Sequence, residues 1–395
     1  MSDVALRSVE TPRAAWINDP RVRGLVWQVV LVGLVAWILI GAGSNAIDNL
    51  RRAGIASGFD FLWRESSFDI AHTLIDYSSR SSFGRALFVG VLNTLLVATI
   101  GIVLATILGV AIGVARISSN FILSKTAEVY VEVVRNVPLL LQLFIWYKAV
   151  LEPLPEARAS INLGAGIFVN KRGLYLPEPL FGPGSWLIAA GLGAGLVGAI
   201  LFRIWAKRRQ DETGRRYPIL LTALALIVGL PLLAALLTGM PVEFKPATQS
   251  RFNLSGGIAI QPELVALLAG LVIYTAAFIA EIVRSGIVAV SKGQTEAAGA
   301  LGLRPNASLR LVVIPQAMRI IIPPLTSQFL NLTKNSSLAV AIGYSDLVHV
   351  GNTIITQGGQ PLEVIAVWMA VYLGISLATA GVMNWYNQRI ALVER

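Results

Sequence analysis

Cysteine is absent from this 395-residue sequence, and histidine occurs only at His72 and His349. The first absence excludes structural disulfides and thiolate metal sites, and the second argues against a histidine-built metal centre. Charged residues are also scarce, at 14% of the chain, which is roughly half the usual share of a soluble domain. The sequence contains no phosphate-binding loop of the form G-x-x-x-x-G-K-[ST], so we expect no cofactor bound by this chain.

Apolar residues are abundant instead. They form 55% of the chain, and the mean hydropathy is +0.68. A soluble protein of this size could not bury so much apolar surface in one core, so lipid must solvate much of it. The composition predicts an all-α polytopic membrane protein and excludes an ordinary cytosolic enzyme. The net charge of +10 fits cytoplasmic loops rich in Lys and Arg, and we expect membrane lipid, not nucleic acid, as a partner.

About eight stretches are long and apolar enough to cross a bilayer, which takes about 20 residues in a helix. They are 24–47, 86–115, 129–150, 179–202, 217–242, 264–280 with an extension to about 290, 320–345 and 364–388. The stretch 129–150 is the weakest because it contains Glu132 and Arg135. The stretch 320–345 carries one charge, Lys334, which we place near mid-bilayer.

The distribution of Lys and Arg sets the expected orientation. With both termini in the cytoplasm, 19 of the 32 basic residues fall on the inside and 11 on the outside. The cluster KRRQDETGRR at 207–216 is the strongest inside marker. The polar N-terminal segment and the long span after it predict a retained anchor and not a cleaved signal.

The spans divide the chain into four predicted parts. These are an N-terminal anchor helix with an external segment (1–84), a first core part (85–150), an external insertion with an extra helical hairpin (151–260), and a second core part (261–395). In the external regions, residues 48–84 suit a helix lying at the membrane surface. Residues 151–184 are rich in Pro and Gly and predict a loop-like excursion.

The stretch from Ser291 to Pro315 lies between two spans on the predicted inside. Its Glu and Ala residues favour a short helix, with Thr295 as the predicted cap. Gly302 can take a left-handed conformation and end that helix, and Pro305 prevents its continuation. Exposed small and apolar side chains on such a helix would usually meet a partner, although composition alone also fits a mere connecting loop.

Here the sequence resembles a known family. Glu296-Ala297-Ala298, three residues, Gly302, nine residues and Val312-Val313-Ile314-Pro315 look like the "EAA" signature of bacterial ABC importer permeases. Further segments resemble the general L-amino-acid branch: EVVRNVPLLLQLFIWY at 132–147, AEIVRSGI at 280–287 and PPLTSQFLNLTKNSSLAVAIG at 323–343. The resemblance covers about residues 86–150 and 260–390.

The resemblance implies a type I importer permease-like core in a bacterial inner membrane, extended by the first span and the inserted hairpin. It implies that Glu296, Ala297, Ala298, Gly302 and Pro315 couple the chain to a cytoplasmic ATP-binding subunit dimer, which would hold ATP and Mg. It also implies a second homologous permease subunit and an external solute-binding protein that delivers an L-amino acid. The chain itself would then be a transport subunit and not an enzyme.

Polar residues within spans are the candidates for the translocation path. The candidates are Asn93, Thr94, Gln142, Asn331, Lys334, Asn335 and Ser336. Because most Asn and Thr residues in spans merely bond neighbouring helices, we select Gln142, Lys334, Asn335 and Ser336. Lys334 is either a structural charge with a partner or a group that attracts the substrate carboxylate. The pairs Glu132 with Arg135 and Glu281 with Arg284 have i,i+3 spacing, which predicts local structural ion pairs.

Two other functional classes compete with the importer permease. A membrane enzyme is disfavoured because no cluster of His, Asp and Glu resembles a catalytic site. A secondary transporter or channel that is not driven by ATP would need several buried carboxylates in mid-span, and the spans offer none at mid-depth.

Overall fold

The computed structural model describes residues 20–52, 58–215, 217–249 and 254–390. The polar N-terminal segment and the end of the C-terminal tail, both expected in the cytoplasm, lie outside these residues. Twelve α-helices are present in the described part. They are α1 (Pro20–Arg52), α2 (Phe83–Arg116), α3 (Phe121–Asn136), α4 (Leu139–Phe144), α5 (Trp186–Thr213), α6 (Ile219–Leu237), α7 (Pro262–Val288), α8 (Lys292–Ala300), α9 (Pro305–Ser308), α10 (Ile314–Asn335), α11 (Leu347–Gly358) and α12 (Pro361–Ile390).

Seven helical stretches in the described part are long and apolar enough to cross a membrane, and an eighth is a bent pair. The bend falls in the stretch where the sequence predicted the weakest span: α3 meets α4 and its π-helical continuation Ile145–Leu151 at 104°. Pro138 causes the break, since the residue before a proline is driven out of the helical region and Val137 is extended. The all-α polytopic fold with about eight spans is confirmed.

Two predicted span boundaries were wrong. The stretch 179–202 becomes helical only at Trp186, because residues 178–181 form a strand. The stretch 320–345 belongs to a longer helical segment, Pro305–Ile342, in which α9 and α10 are joined by π-helical residues 309–313. Lys334 consequently lies in the last turn of α10, towards the Ile342 end of this segment and not at its middle.

Helices α2 and α7 form the centre of the core. Gly109 and Gly113 of α2 permit their close approach, because a Cβ at Gly109 would lie 2.6 Å from Ile279 Cβ and one at Gly113 would lie 2.7 Å from the Ala280 carbonyl oxygen. These glycines are therefore packing sites. Helices α3, α4, α10 and α11 pack around this pair, and α12 packs on α10 and α11.

The external segment before α2 is not the predicted surface helix. Its described residues 58–82 contain one short 3-10 helix, Phe59–Trp63, and are otherwise irregular. Its apolar side chains turn inward: Phe61 is 1% exposed and packs against Phe83 at the start of α2. Ile70 is buried in the same cluster, so this segment covers the end of the core instead of lying on lipid.

The external insertion does not begin with the loop-like excursion predicted at 151–184. It contains eight short strands: β1 (Ile161–Gly164), β2 (Ile167–Asn170), β3 (Gly173–Leu176), β4 (Glu178–Phe181), β5 (Val242–Lys245), β6 (Thr248–Gln249), β7 (Leu254–Ser255) and β8 (Ile258–Ile260). β8 pairs antiparallel with β3, and β5 pairs with β4. Both ends of the α5–α6 hairpin are thus joined in one small β-region on the membrane side opposite α8.

Candidate functional site

The short helix α8 between α7 and α10 has the form that the sequence predicted, with one correction at its start. It begins at Lys292, three residues before the expected cap, and Thr295 is an interior residue whose hydroxyl donates to the Lys292 carbonyl. Its end agrees with the prediction. Gly302 has φ +76°, its N–H donates to the Gly299 carbonyl, and the Leu303 N–H donates to the Ala298 carbonyl.

The exposure pattern of α8 leaves one face free. Ala298 is buried against the core at 4% exposure, whereas Glu296 and Ala297 are exposed and Leu301 is 82% exposed. A side-chain hydrogen bond of 3.1 Å from Gln316 of α10 to Gln294 fastens the helix to the core. Pro315 lies in the first turn of α10 and is exposed. Of the five predicted coupling residues, Glu296, Ala297, Gly302 and Pro315 are therefore accessible to a partner, whereas Ala298 is buried.

A charged cluster lies at the α8 side of the core. The predicted pair of Glu281 with Arg284 is present, with 2.6 Å between Arg284 Nη2 and Glu281 Oε1. Arg116, at the end of α2, also binds Glu281 and is only 13% exposed. Sequence analysis missed Arg116, because 165 residues separate it from its partner. The cluster ties the ends of α2 and α7 together next to the coupling helix.

The predicted pair of Glu132 with Arg135 was wrong. Both side chains are exposed, and within the described residues no ion pair joins them. The Arg135 guanidinium instead lies 4.9 Å from the ring centroid of Phe278. Glu132, Arg135 and Asn136 line a recess of about 440 Å³ together with the cluster residues Arg116 and Glu281. This inner recess presents charges of both signs beside the break between α3 and α4.

Gln142 was expected in the translocation path, but its contacts are structural. Its side chain is 7% exposed, and its Nε2 donates to the carbonyls of Val134 and Val137 at 2.9 and 3.0 Å. These carbonyls belong to the end of α3, where the break leaves them without helical partners. Gln142 therefore stabilises the bend through its side-chain amide N–H groups.

The other three path candidates differ in their exposure. Ser336 is fully buried and donates to the Thr333 carbonyl at 2.7 Å, so it is structural. Asn335 is half-buried. Lys334 is exposed, and among the described residues it has no ion-pair partner. It lines an open recess of about 300 Å³, the outer recess, whose other lining residues are Ser337, Val348, Trp368, Met369 and Tyr372.

A buried polar junction holds the end of the core opposite α8. Asn93 donates to the carbonyls of His72 and Ser345, both at 2.8 Å, and the Leu347 N–H donates to the Thr94 hydroxyl. Asn93 and Thr94 were candidates for the translocation path, but these hydrogen bonds join neighbouring segments of the chain, as most polar groups within spans do. No sequence pattern indicated which segments they would join.

Asp346 is the ionisable member of this junction. Its side chain is fully buried and accepts from the His349 N–H at 2.8 Å, which caps α11. Burial raises the pKa of the Asp346 carboxyl to about 7, well above its ordinary value, because desolvation disfavours the ionised form. Nothing in the sequence indicated that Asp346 is buried, because an aspartate between two helices usually lies in an exposed loop.

A helical core long and apolar enough to cross the membrane several times, with a short exposed helix on one side, has the architecture of a multi-pass membrane permease. Residues 191–392 match the family described as the inner membrane component of binding-protein-dependent transport systems. This chain belongs to that family.

Curated relatives match along nearly the whole chain. The chain is 51% identical to the "General L-amino acid transport system permease protein AapQ" of Rhizobium johnstonii, over 95% of this chain and 94% of that protein. It is 47% identical to the "Putative amino-acid ABC transporter permease protein YhdX" of Escherichia coli, over 95% and 96%. It is 41% identical to the "Glutamate/glutamine/aspartate/asparagine transport system permease protein BztB" of Rhodobacter capsulatus, over 96% of each.

Proposed function

We propose that this chain is the transmembrane permease subunit of an ATP-driven L-amino-acid uptake system. The observation that carries the proposal is the exposed helix α8, which is fastened to the core through Ala298 and Gln294 but keeps Ala297 and Leu301 free for a partner. The names of the relatives support amino acids as the substrate class. The alternative is an amino-acid transporter or channel that is not driven by ATP.

The assembly that follows contains four kinds of subunit. The 291–315 loop docks on a dimer of ATP-binding subunits, which hold ATP and Mg and whose motion reaches the core through α8. A second homologous permease completes the translocation path, and an external solute-binding protein delivers the amino acid. This chain holds no cofactor of its own.

The proposed orientation puts both termini and α8 in the cytoplasm. The basic end of the hairpin supports it. Arg203 and Tyr217 share a recess with Arg310, which follows α8, so the basic residues 207–209 of α5 and the 291–315 loop lie on one side. Two basic segments on the same side agree with the excess of Lys and Arg expected there. The β-region then faces outward.

The two recesses supply the charged groups of the proposed path. A zwitterionic amino acid needs a cation for its carboxylate and an anion for its ammonium group. The outer recess offers Lys334, and the inner recess offers Arg135 and Glu132, all accessible in this subunit. We assign Gln142 and Ser336 to the structure of the path walls and keep Asn335 as a weaker contact candidate.

Reconstitution tests the function. The purified complex in liposomes, with the binding protein outside and ATP inside, should accumulate L-amino acids, and removal of the ATP-binding subunits should abolish uptake. The permease pair alone under a proton or sodium gradient serves as the control. Accumulation by the pair under a gradient would establish the alternative, a secondary transporter.

Lys334→Met tests the path, because it keeps the aliphatic stem and removes the charge. We expect an assembled complex in which uptake falls by about tenfold or more, equivalent to about 1.4 kcal/mol. Lys334→Arg, which keeps the charge, should retain most activity. Reduced assembly or thermal stability in Lys334→Met would instead identify a structural charge, and unchanged uptake would remove Lys334 from the path.

A further inference from the structure

The inserted hairpin α5–α6 packs on itself and leaves most of its surface uncovered. Gly195 allows the contact, since a Cβ there would lie 2.4 Å from the Leu226 carbonyl oxygen. In the described residues α6 has no buried side chain, and neither helix makes an extensive contact with a core helix. A gap therefore separates the hairpin from the core on the α8 side.

At one end, this gap forms a recess of about 780 Å³ between the hairpin and the core. The hairpin contributes Arg203 and the apolar start of α6, including Leu220, Leu221 and Leu224, and the core contributes Arg310. The three leucines are 73%, 71% and 53% exposed. Neither arginine has an ion-pair partner among the described residues, and no acidic side chain lines the recess.

Neighbouring aromatic residues indicate the depth of this recess in the membrane. The ring centroids of Trp205 and Tyr217 lie 5.0 Å apart, and Phe202 lies 5.6 Å from Trp205. Trp and Tyr concentrate at the level of lipid head groups, and the basic residues 207–209 lie in the last turns of α5. The recess therefore opens at the head-group level of the membrane on the α8 side.

We propose that this recess binds an anionic phospholipid, with the phosphate held between Arg203 and Arg310 and the acyl chains lying on the leucines of α6. Guanidinium groups form strong charge-assisted hydrogen bonds with phosphate, and basic pockets between membrane helices suit anionic head groups. The start of α6 adds to the attraction, because Pro218 supplies no side-chain cap. The lipid would bridge the free-standing hairpin and the segment that follows the coupling helix.

The test measures lipid retention by the whole transport complex. The complex is exchanged into vesicles containing equal phosphatidylglycerol and phosphatidylcholine, extracted, washed in detergent and analysed by mass spectrometry. The wild type should retain phosphatidylglycerol in preference to phosphatidylcholine. In Arg203→Gln/Arg310→Gln, retained phosphatidylglycerol should fall by about tenfold, and Arg203→Lys/Arg310→Lys should keep an intermediate amount because the charges remain.

Arg208→Gln/Arg304→Gln is the matched control. It removes the same charge from the same two segments, but neither residue lines the recess. This control should keep the wild-type lipid. Equal loss in both double variants, or equal retention of the two lipids by the wild type, would overturn the proposal. Complete displacement of the bound phosphatidylglycerol by inorganic phosphate would also overturn it. So would a photoreactive residue in place of Leu221 that crosslinks to a protein subunit instead of to lipid. Lipid retention is measured without transport, so its result is independent of whether the proposed amino-acid uptake is correct.

Discussion

Gly302 is the left-handed residue that follows α8, the helix that we propose contacts the ATP-binding subunits. Its φ of +76° is open to glycine but costs an alanine about 1–2 kcal/mol. No atom lies within 4 Å of a Cβ built there, so the cost is conformational and not steric. We expect Gly302→Ala to reach the membrane and assemble, while amino-acid uptake per ATP hydrolysed falls about fivefold or more.

Gly299 supplies the control for this prediction. A Cβ placed on it would also meet open space, but this glycine lies inside α8 with an ordinary helical backbone. Gly299→Ala should therefore leave coupling intact and favour the helix. Normal coupling in Gly302→Ala would contradict the assignment of this loop to the ATPase interface.

The buried carboxyl of Asp346 predicts that the stability of the folded protein depends on pH. Burial raises its pKa to about 7, so between about pH 4 and 7 the folded protein binds a proton that the unfolded chain releases. The stabilisation from this group is complete below about pH 4 and is lost as the pH rises towards and through 7. The thermal stability of the wild type should consequently fall between about pH 5 and pH 8.

Asp346→Asn isolates this effect. Asn still caps α11 but cannot ionise, so the variant should lack this component of the pH dependence and exceed the wild type in melting temperature most at about pH 8. Identical pH profiles for the two proteins would show that Asp346 does not titrate in this range.

At the scale of elements, the break between α3 and α4 is the feature to test. Gln142 satisfies two carbonyls that Pro138 frees, and a buried unsatisfied polar group costs about 1–3 kcal/mol. Gln142→Met keeps the size of the side chain but donates no hydrogen bond. We expect a lower melting temperature and lower yield, with an unchanged apparent affinity for the amino acid.

Leu141→Met is the control for that variant, because the neighbouring side chain is apolar and 53% exposed. It should behave as the wild type. A Gln142→Met protein of normal stability but altered substrate affinity would return Gln142 to the translocation path.

For the molecule as a whole, the proposed orientation in the membrane can be measured. The chain lacks cysteine, so single cysteines report position cleanly. Leu163, in β1, is 65% exposed and should lie outside, whereas Thr213, at the end of α5, should lie inside. An impermeant thiol reagent applied to intact spheroplasts should label Leu163→Cys and spare Thr213→Cys until the membrane is opened. The opposite labelling would reverse the proposed orientation.

Features that depend on local composition and short spacing were predictable from the sequence. Long apolar runs specified the spans, because a bilayer needs about 20 apolar residues wherever they occur. The helix α8 and its end at Gly302 were also predictable, since a left-handed glycine followed by proline acts within one turn. The i,i+3 pair of Glu281 and Arg284 formed for the same local reason.

Which distant segments meet depends on the tertiary structure. Arg116 reaches Glu281 because α2 and α7 pack together through glycines, and no local pattern in either helix indicates this contact. In the insertion, β1, β2 and β3 pair with their neighbours along the chain, but β3 with β8 and β4 with β5 pair across the whole hairpin, and no local pattern indicates these two contacts. The roles of Gln142 and Asp346 were hidden for the same reason: burial and hydrogen-bond partners arise from packing between elements and not from the residues themselves.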